Sequence, residues 1–599
     1  MDKFIHHRNL EFLLYELLDT EALLQRPRYH EQSRDVYDSI LETARNIARK
    51  YLAPHYQKGD ANEPEYVDGT TRLIPETKVA WDVIRDAGFL AAHCDEAEGG
   101  LQLPEVIFRS ATAYFHAANG PTTWYPFLTI GVINLIRAFG SQEQKERYLG
   151  ALMEGRFAGT MALTEPGQGS ALADIKTRAE LQDDGTWRIF GQKMFISAGE
   201  HDLTGNIIHM VLAKTKGAPP GVKGISLFIV PKFVVGDDGV PGARNDVALA
   251  GLLHKMGSRN TSSTVLSFGE KGGAVGYLIG GIGSGLACMF QMMNEARIGV
   301  GMNAAALASR GYLYSLDYAR DRSQGRLPSN KDPVSPQVPL VAHPDVRRML
   351  LAQKAYAEGA LALCLYASSL FEDEHTHPDE SRRVSAGVLL GLLTPVVKSW
   401  SARYGCEANE LAIQVLGGSG YIREHPVEQL YRDQRLNPIH EGAEGIHGID
   451  LLARKVTLRD GEALRLFTEQ VRRTGAEAEQ VLSVSRHAHA LRRQLDALLA
   501  VTDGITALAR NDPDKGLANA TVYLDAFGRV TVAWLWLSQG LVAARALEGS
   551  PNDADRLFYK GKLQAAAYYF DWELPQVEPQ WRLLTEGNSI PYDMMDTWY

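Results

Sequence analysis

The sequence predicts a mainly α-helical protein with a central β-domain, because three contrasting patterns follow one another along its 599 residues. Apolar residues recur at three- and four-residue steps up to about residue 160, which is the period of an amphipathic helix. Between about 161 and 280 the pattern changes to short β-rich runs bounded by Gly, Pro or Asp. From Gly285 the helical period returns. A chain of this length is too long to fold around a single hydrophobic core, so we expect several domains.

Five segments follow from these changes of pattern. We predict an N-terminal extension over 1–40, an N-terminal helical domain over 41–160, a β-domain over 161–280, a helical bundle over 281–455 and an additional C-terminal helical domain over 456–599. The order predicts a helical domain, a compact β-domain, a helical bundle and extra C-terminal helices.

The individual elements follow from local periodicity. Before residue 160 the helical period is clear in 35–54 and 79–92, and we find no strand pattern there. The predicted strands are 186–198, 207–215, 224–235 and 264–268. The predicted later helices are 287–322, 346–371, 384–416, 477–509 and 515–547, the last two separated by a polar joint at Asn511.

Composition excludes several classes of function. The formal net charge is −10 and no basic run occurs, which argues against nucleic-acid binding. The four cysteines lie far apart without metal-ligand spacing, so we predict no metal site and a reducing compartment. The N-terminus lacks the apolar core of a signal peptide. The longest apolar stretch, 386–397, is too short for a bilayer and contains Pro395. We therefore expect a cytoplasmic protein without membrane association.

Three segments carry candidate chemistry. Met161-ALTEPGQGSALAD crowds glycines and hydroxyls into one turn, which lets backbone amides approach a planar or phosphorylated ligand; a plain surface turn is the alternative. A second hydroxyl-bearing turn, Lys193-MFISAGEHD, follows a strand pattern about thirty residues later. The third segment is Gln414-VLGGSGYIREHPVEQLYRDQRLNPIHEGAEGI.

These three segments, in this order, resemble the acyl-CoA dehydrogenase family. Leu163-TEPGQGS is similar to the family's first flavin-binding segment, and Phe195-Ile196-Ser197 stands where the family has a Trp-Ile-Thr/Ser run. The third segment resembles the family's Gln-x-x-Gly-Gly motif leading into its catalytic Glu-Gly. The resemblance covers roughly residues 40 to 455. It implies a mainly α fold with a helical domain, a β-barrel domain and a four-helix bundle, followed by the extra C-terminal helical domain.

The resemblance implies FAD as cofactor. Residues around Leu163 and Thr164 would contact the flavin pyrimidine edge, and Ser197 would lie near flavin N5. The full set of implied FAD contacts is Met161, Leu163, Thr164, Gly169, Ser170, Phe195, Ile196, Ser197, Arg322, Gln414, Gly417, Gly418 and Ala443. The implied substrate contacts are Ser170, Asn294, Arg297 and Gly442. Because Arg322 and the Gly-Gly motif serve a neighbouring subunit's FAD in the family, we expect a homo-oligomer.

The resemblance makes Glu441 the catalytic base, which removes the α-proton of an acyl-CoA thioester while a hydride leaves Cβ. A solvated carboxylate is the alternative for any single glutamate. The other base position known in the family corresponds to Ala296, which cannot take a proton, and Glu295 points about 100° away around a helix. His440 precedes Glu441 where the family has tyrosine; it would either tune the base or pack as a neutral side chain.

The two ends of the chain resemble the larger bacterial branch of the family, which includes methylmercaptopropionyl-CoA and long-chain fatty acyl-CoA dehydrogenases. We expect the added helices to favour a dimer. Electrons would pass to electron-transfer flavoprotein. The alternatives are an acyl-CoA oxidase that uses O₂ and a non-catalytic flavoprotein of the same fold. We favour medium or long straight acyl chains as substrates.

Overall fold

The computed structural model describes residues 4–599, with the side chains of 290–293 outside the description. The chain divides into two compact units. The β-containing unit is Asp35–Ala296. The helical unit is Arg297–Tyr599 together with the N-terminal segment up to Arg34.

Helices dominate both ends of the chain. In chain order they are α1 His7–Glu11, α2 Arg34–Ile47, α3 Tyr56–Ala61, α4 Pro75–Asp86, α5 Glu105–Phe139, α6 Gln142–Met153, α7 Gly285–Asp321, α8 Pro344–Thr376, α9 Glu380–Leu416, α10 Val427–Gln434, α11 Glu444–Asp450, α12 Leu458–Glu479, α13 Ser485–Asn511, α14 Pro513–Leu517, α15 Ala520–Glu548, α16 Asp553–Tyr568, α17 Val577–Thr585 and α18 Ile590–Asp593.

The strands lie between α2 and α7. They are β1 Glu65–Val67, β2 Thr70–Arg72, β3 Phe157–Ala162, β4 Arg178–Leu181, β5 Trp187–Ser197, β6 Asn206–Thr215, β7 Ile225–Pro231, β8 Phe233–Val235, β9 Pro241–Arg244, β10 Val247–Leu252, β11 Ser263–Phe268 and β12 Ala274–Ile279. The main sheet has the order β10-β11-β5-β12-β7-β6-β3, with β4 pairing β5 and β6. The pairs β3–β6 and β4–β6 are parallel, and the other pairs of this sheet are antiparallel.

The central strands are buried on both faces. Every residue of β7 is buried, as are the first eight of β6. Alternate residues serve opposite faces of a strand: Met210 packs against the side chains of α5 and α6, whereas Val211 belongs to a core on the other face with Phe228 and Leu266. This is why these strands read as continuous apolar runs instead of alternating ones.

The expectation of no strand before residue 160 was wrong in two places. Strands β1 and β2 form a short hairpin, and β3 begins at Phe157. The hairpin turn is Asp68-Gly69, where both residues have positive φ, of 50° and 80°. Asp-Gly is a favoured two-residue hairpin turn, so this signal was present in the sequence.

Pro395 lies inside α9, which continues through it. Proline lacks the N–H that would bond to the carbonyl of Gly391 four residues earlier. The Thr394 hydroxyl donates to that carbonyl at 3.3 Å. A side-chain donor therefore replaces the missing backbone hydrogen bond and the helix is not broken.

Two helical segments are long and apolar enough to cross a membrane by length and composition alone, Glu380–Tyr421 and Ala520–Glu548. The prediction that the apolar stretch at 386–397 is too short counted only that stretch, whereas the helical segment around it is longer. Of the most apolar part of each segment, 83% and 72% is buried inside the protein, as expected for core helices.

The first of the two predicted helices in the C-terminal domain differs from the structure. The predicted helix 477–509 is divided, because α12 ends at Glu479 and α13 begins at Ser485. The polar joint at Asn511 is the C-terminus of α13.

The N-terminal segment packs within the helical unit, although sequence places it at the opposite end of the chain. Arg8 forms ion pairs with Glu16 at 2.6 Å and with Asp555 of α16 at 2.8 Å. Tyr29 donates to Glu372 of α8 at 2.7 Å. The predicted extension is thus held against the bundle and the added C-terminal helices.

Candidate active site

The first two predicted flavin-binding segments lie side by side in the β-containing unit. The N–H of Met194 donates to the carbonyl of Thr164 at 2.9 Å, and the Thr160 hydroxyl donates to the carbonyl of Ser197 at 2.6 Å. Residues thirty positions apart in sequence therefore form one edge. Met161 lies in β3, Leu163 directly follows it, and Ile196 is buried in β5.

A buried ion pair fixes this edge. Lys193 is fully buried, and its ammonium donates to the carboxylate of Glu165 and to the carbonyl of Leu163, both at 2.9 Å. The Glu165 carboxylate also accepts from the Thr177 hydroxyl at 2.5 Å and from the N–H of Lys176 at 2.6 Å. Burial lowers the pKa of Lys193 to about 8, and Glu165 opposes this shift. A fully hydrogen-bonded buried pair of this kind holds the turn in one conformation.

The surface of this edge is open. Glu165 and Gln168 close a tight turn with Gly167 at φ 82°, and no atom lies within 4 Å of a Cβ built on Gly169. Ser170 is exposed. Phe195 has φ 59° and a side chain 62% exposed. A left-handed backbone at a bulky residue is strained and occurs mostly at functional sites.

Glu441 lies in the helical unit on a loop between α10 and α11. Glu441 and Gly442 both have positive φ, of 52° and 94°. Nε2 of His447 lies 3.0 Å from the carbonyl oxygen of Glu441, and the buried Lys398 ammonium donates to the carbonyl of Gly442 at 2.6 Å. Burial lowers the pKa of His447 to about 3, so the imidazole is neutral. Two consecutive carbonyls of a strained loop are thus each held by a buried side chain.

The surroundings of Glu441 favour a carboxylate with a raised pKa. Burial raises the pKa of Glu441, and the cations Lys398 and Arg297 oppose this shift. Glu441 is exposed by its accessible surface, yet enough protein atoms surround its carboxyl group for desolvation to raise its pKa. A carboxylate with a raised pKa in a site from which a ligand can exclude water is suited to proton abstraction.

Arg297 and Asn294 fall into different units. Arg297 is buried in the helical unit, where its guanidinium donates to Asp450 of α11 at 3.1 Å. Among the described residues, its Nε has no hydrogen-bond partner. Asn294 belongs to the β-containing unit. The neighbouring Glu295 accepts from Asn134 at 2.7 Å, and burial raises its pKa.

Of the remaining predicted FAD contacts, four lie at neighbouring ends of α7 and α9, whereas Ala443 lies beside the loop of Glu441. Arg322 directly follows α7, and Gln414 lies in the last turn of α9; both are exposed. The Tyr318 hydroxyl donates to Ser419 at 3.1 Å and so joins these two helix ends. Gly417 and Gly418 have nothing within 4 Å of an added Cβ. Ala443 is the exposed N-cap of α11.

His440 is a neutral side chain. Burial lowers its pKa to about 3, with Lys398 acting in the same direction. Its Nε2 lies 3.2 Å from the amide oxygen of Asn437. This favours the packed, neutral interpretation of His440 over electrostatic tuning of the base.

Lys398, His447 and the Glu165–Lys193 pair carry no role in the sequence prediction. A signal for Lys398 was available, because a lone lysine in the apolar run 386–400 is buried only with a partner. Its partner is a backbone carbonyl, which no side-chain pattern reveals.

Helix α11, which follows Glu441, packs against the N-terminus of α15. A Cβ added to Gly448 would lie 2.6 Å from the carbonyl oxygen of Ala520 and 2.9 Å from the nitrogen of Thr521. The contact therefore requires glycine, and the added C-terminal helices support the segment that carries Glu441.

We expect Gly448→Ala to lower the free energy of unfolding by about 1–3 kcal/mol, because backbone atoms of α15 must move. Thermal or urea unfolding measures this change. The matched control is Gly475→Ala in α12, where an added Cβ meets nothing within 4 Å and helix propensity should stabilise by about 0.5–1 kcal/mol. Equal stabilities of the two variants would contradict the tight contact between α11 and α15.

Each unit thus contains one of the predicted features: the helical unit has a carboxylate with a raised pKa on a strained loop, and the β-containing unit has an open, glycine-rich edge. Four family models match the chain: the acyl-CoA dehydrogenase N-terminal domain over 35–156, its middle domain over 160–270, its C-terminal domain over 283–456, and an acetyl-CoA dehydrogenase C-terminal-like domain over 467–595. The chain belongs to the acyl-CoA dehydrogenase family and is an oxidoreductase.

Similar proteins share nearly the full length of the chain. The 3-methylmercaptopropionyl-CoA dehydrogenase of Ruegeria pomeroyi is 35% identical over 97% of this chain and 98% of its own. The broad-specificity linear acyl-CoA dehydrogenase FadE5 of Mycobacterium tuberculosis is 33% identical over 95% of both chains. The fold is shared with an acyl-CoA dehydrogenase of Bacillus anthracis complexed with FAD, with TM-score 0.71 and 20% identity over 93% of this chain and 92% of that one. These likenesses confirm the predicted fold and family.

Proposed function

We propose that the protein catalyses the FAD-dependent α,β-dehydrogenation of an acyl-CoA thioester to the trans-2-enoyl-CoA, with Glu441 as base. The observation that carries this proposal is the carboxyl group of Glu441, which has a raised pKa and lies on a loop held at two consecutive carbonyls. Holding the loop fixes the direction of the carboxylate before substrate arrives, which lowers the entropic barrier to proton transfer.

The residues of the β-containing unit fit FAD. The edge formed by Leu163, Thr164 and Ser197 is open, and an exposed aromatic ring, Phe195, adjoins it. The glycines at 167 and 169 leave room for close approach of a ligand. When bound, FAD would supply the acceptor for the hydride that leaves Cβ of the substrate.

The chain's own residues perform the proton step. Glu441, ionised, takes the proton from Cα, while the electron pair of that C–H bond forms the new double bond as hydride departs from Cβ. Lys398 and Arg297 favour the ionised carboxylate before reaction, and burial favours its protonation afterwards. Excluding water strengthens each of these electrostatic effects.

The acyl group and the electron acceptor are parts of the same proposal. The two relatives act on a sulfur-containing and on linear acyl-CoA thioesters by their names, which supports a straight, unbranched acyl chain. We favour medium or long chains and electron-transfer flavoprotein as acceptor. An oxidase that uses O₂ is the second candidate, and aerobic peroxide release on adding substrate would distinguish it. A non-catalytic flavoprotein is disfavoured by the retained Glu441.

We also propose a cytoplasmic homodimer. The exposed positions Arg322, Gln414, Gly417 and Gly418 lie at one end of the bundle, where the family resemblance places a neighbouring subunit's FAD. Light scattering would measure the mass in solution, and a monomer with full activity would contradict this proposal.

The test is an anaerobic visible spectrum of the purified protein, titrated with saturated acyl-CoAs of different chain length and with 3-methylmercaptopropionyl-CoA. We expect the flavin band to bleach with one group of thioesters. A flavin that no thioester bleaches would contradict the proposed reaction.

The pH dependence should follow Glu441. Because its pKa is raised above the ordinary 4.5 and the base must be ionised, kcat/KM should fall as pH decreases through the raised pKa, by tenfold per unit below it. A pH series with the best substrate measures this acidic limb. A limb that continues flat to pH 4.5 would contradict a raised pKa.

A further inference from the structure

Lys398 is unusual among the lysines of the helical unit. Its side chain is fully buried in the middle of α9, between apolar neighbours such as Val397 and Trp400. Its ammonium donates to the carbonyl of Gly442, and no carboxylate lies within 4 Å of it among the described residues. Burying an ammonium without a contacting anion costs free energy. Stability alone therefore does not explain why a lysine stands at this position.

The contact of Lys398 is with the base loop. Gly442 directly follows Glu441, and both residues have left-handed backbone. The preceding carbonyl, of Glu441 itself, lies 3.0 Å from Nε2 of His447. Lys398 reaches from α9 and His447 from α11, so the loop is held from two different helices.

The charges around Glu441 make Lys398 its principal cation. Arg297 of α7 forms an ion pair with Asp450, and this carboxylate partly neutralises the charge of Arg297. His440 of the preceding loop and His447 of α11 are neutral. Glu444 of α11 is the other carboxylate that acts on Lys398.

We propose that Lys398 is a positioning residue for Glu441: its hydrogen bond to Gly442 fixes the direction of the carboxylate, and its charge favours the ionised base. This inference rests on the proposed role of Glu441 as base. Without the ammonium of Lys398 the loop would lose this contact, and Glu441 would become protonated at a higher pH.

The test compares Lys398→Met with Lys562→Met, both in full-length, FAD-loaded protein. Lys562 is equally buried, and burial lowers the pKa of both lysines to about 8. Unlike Lys398, Lys562 donates to Glu358 and Gln539, which are not part of the loop. Two quantities are measured: the pH profile of kcat/KM, and the exchange of the substrate's α-proton in D₂O by mass spectrometry. Lys398→Arg serves as the variant that keeps the charge.

We expect Lys398→Met to shift the acidic limb upward by about one pH unit and to slow α-proton exchange at pH 7 about tenfold or more. Lys562→Met should leave the limb in place, and Lys398→Arg should restore part of the shift. A folded Lys398→Met variant with an unshifted limb and unchanged exchange would overturn the inference. If Glu441→Gln retained activity, the proposed base would fail instead, and the two failures are therefore distinguishable.

Discussion

Glu441→Gln is expected to lower kcat by about 10³- to 10⁴-fold, because the amide has the size of the carboxylate but cannot accept the α-proton. The variant removes a negative charge that acts on Lys398 and Arg297, but Arg297 keeps its ion pair with Asp450 and the loop keeps its length and shape. FAD content and folding should therefore remain normal. Stopped-flow reduction of the flavin by substrate under anaerobic conditions measures the effect.

Glu295→Gln is the matched control for that variant. Glu295 is the other glutamate near a possible base position in the sequence, and desolvation raises its pKa as well. The amide can still accept from Asn134, so the fold should tolerate it. We expect the control to keep wild-type kcat. Loss of activity in Glu295→Gln with activity retained in Glu441→Gln would reverse the assignment.

Lys193→Met is expected to have the largest effect on stability and cofactor binding. Removing the ammonium leaves the Glu165 carboxylate buried without its cation, which typically costs about 3–5 kcal/mol. It also releases the carbonyl of Leu163, so the two flavin-binding segments lose a link between them. Unfolding in urea measures the first effect, and the ratio of flavin to protein after gel filtration measures the second.

Lys232→Met separates stability from cofactor binding. Lys232 is also buried in the β-containing unit and pairs with the buried Glu200. Glu200 keeps Arg244 at 3.3 Å, so the loss of stability should be smaller. At a temperature where both variants are folded, only Lys193→Met should lose FAD. Equal flavin content in the two would show that the Glu165–Lys193 pair serves stability alone.

Much of the architecture could be predicted because its signals are local. The change from helical to strand periodicity near 161 and back near 285 reflects which residues can line one face of an element. The bundle helices α8 and α9 occupy 344–376 and 380–416, close to the predicted 346–371 and 384–416. The missed hairpin at 65–72 has strands of three residues each, too short for a period to show.

The candidate site also has parts that local sequence signals predict and parts that they do not. Glu441, Phe195 and the glycine-rich turn are recognisable because chemistry restricts the residues that can stand there, and that restriction is visible in a short segment. The roles assigned to these residues stay predictions. Phe195 stands where the resembling family has tryptophan, and this difference removes no acid or base.

The sequence by itself determined the order of the domains, the family and the identity of the proposed base, since each depends on short runs of neighbouring residues. Only the tertiary structure decided that Lys398, His447 and Lys193 hold those segments in place. Lys398 contacts a backbone carbonyl 44 positions away, and His447 contacts one 6 positions away. Lys193 contacts a glutamate 28 positions away and a backbone carbonyl as well. A backbone carbonyl is the same in every residue, so a sequence pattern cannot reveal which one a buried side chain will contact.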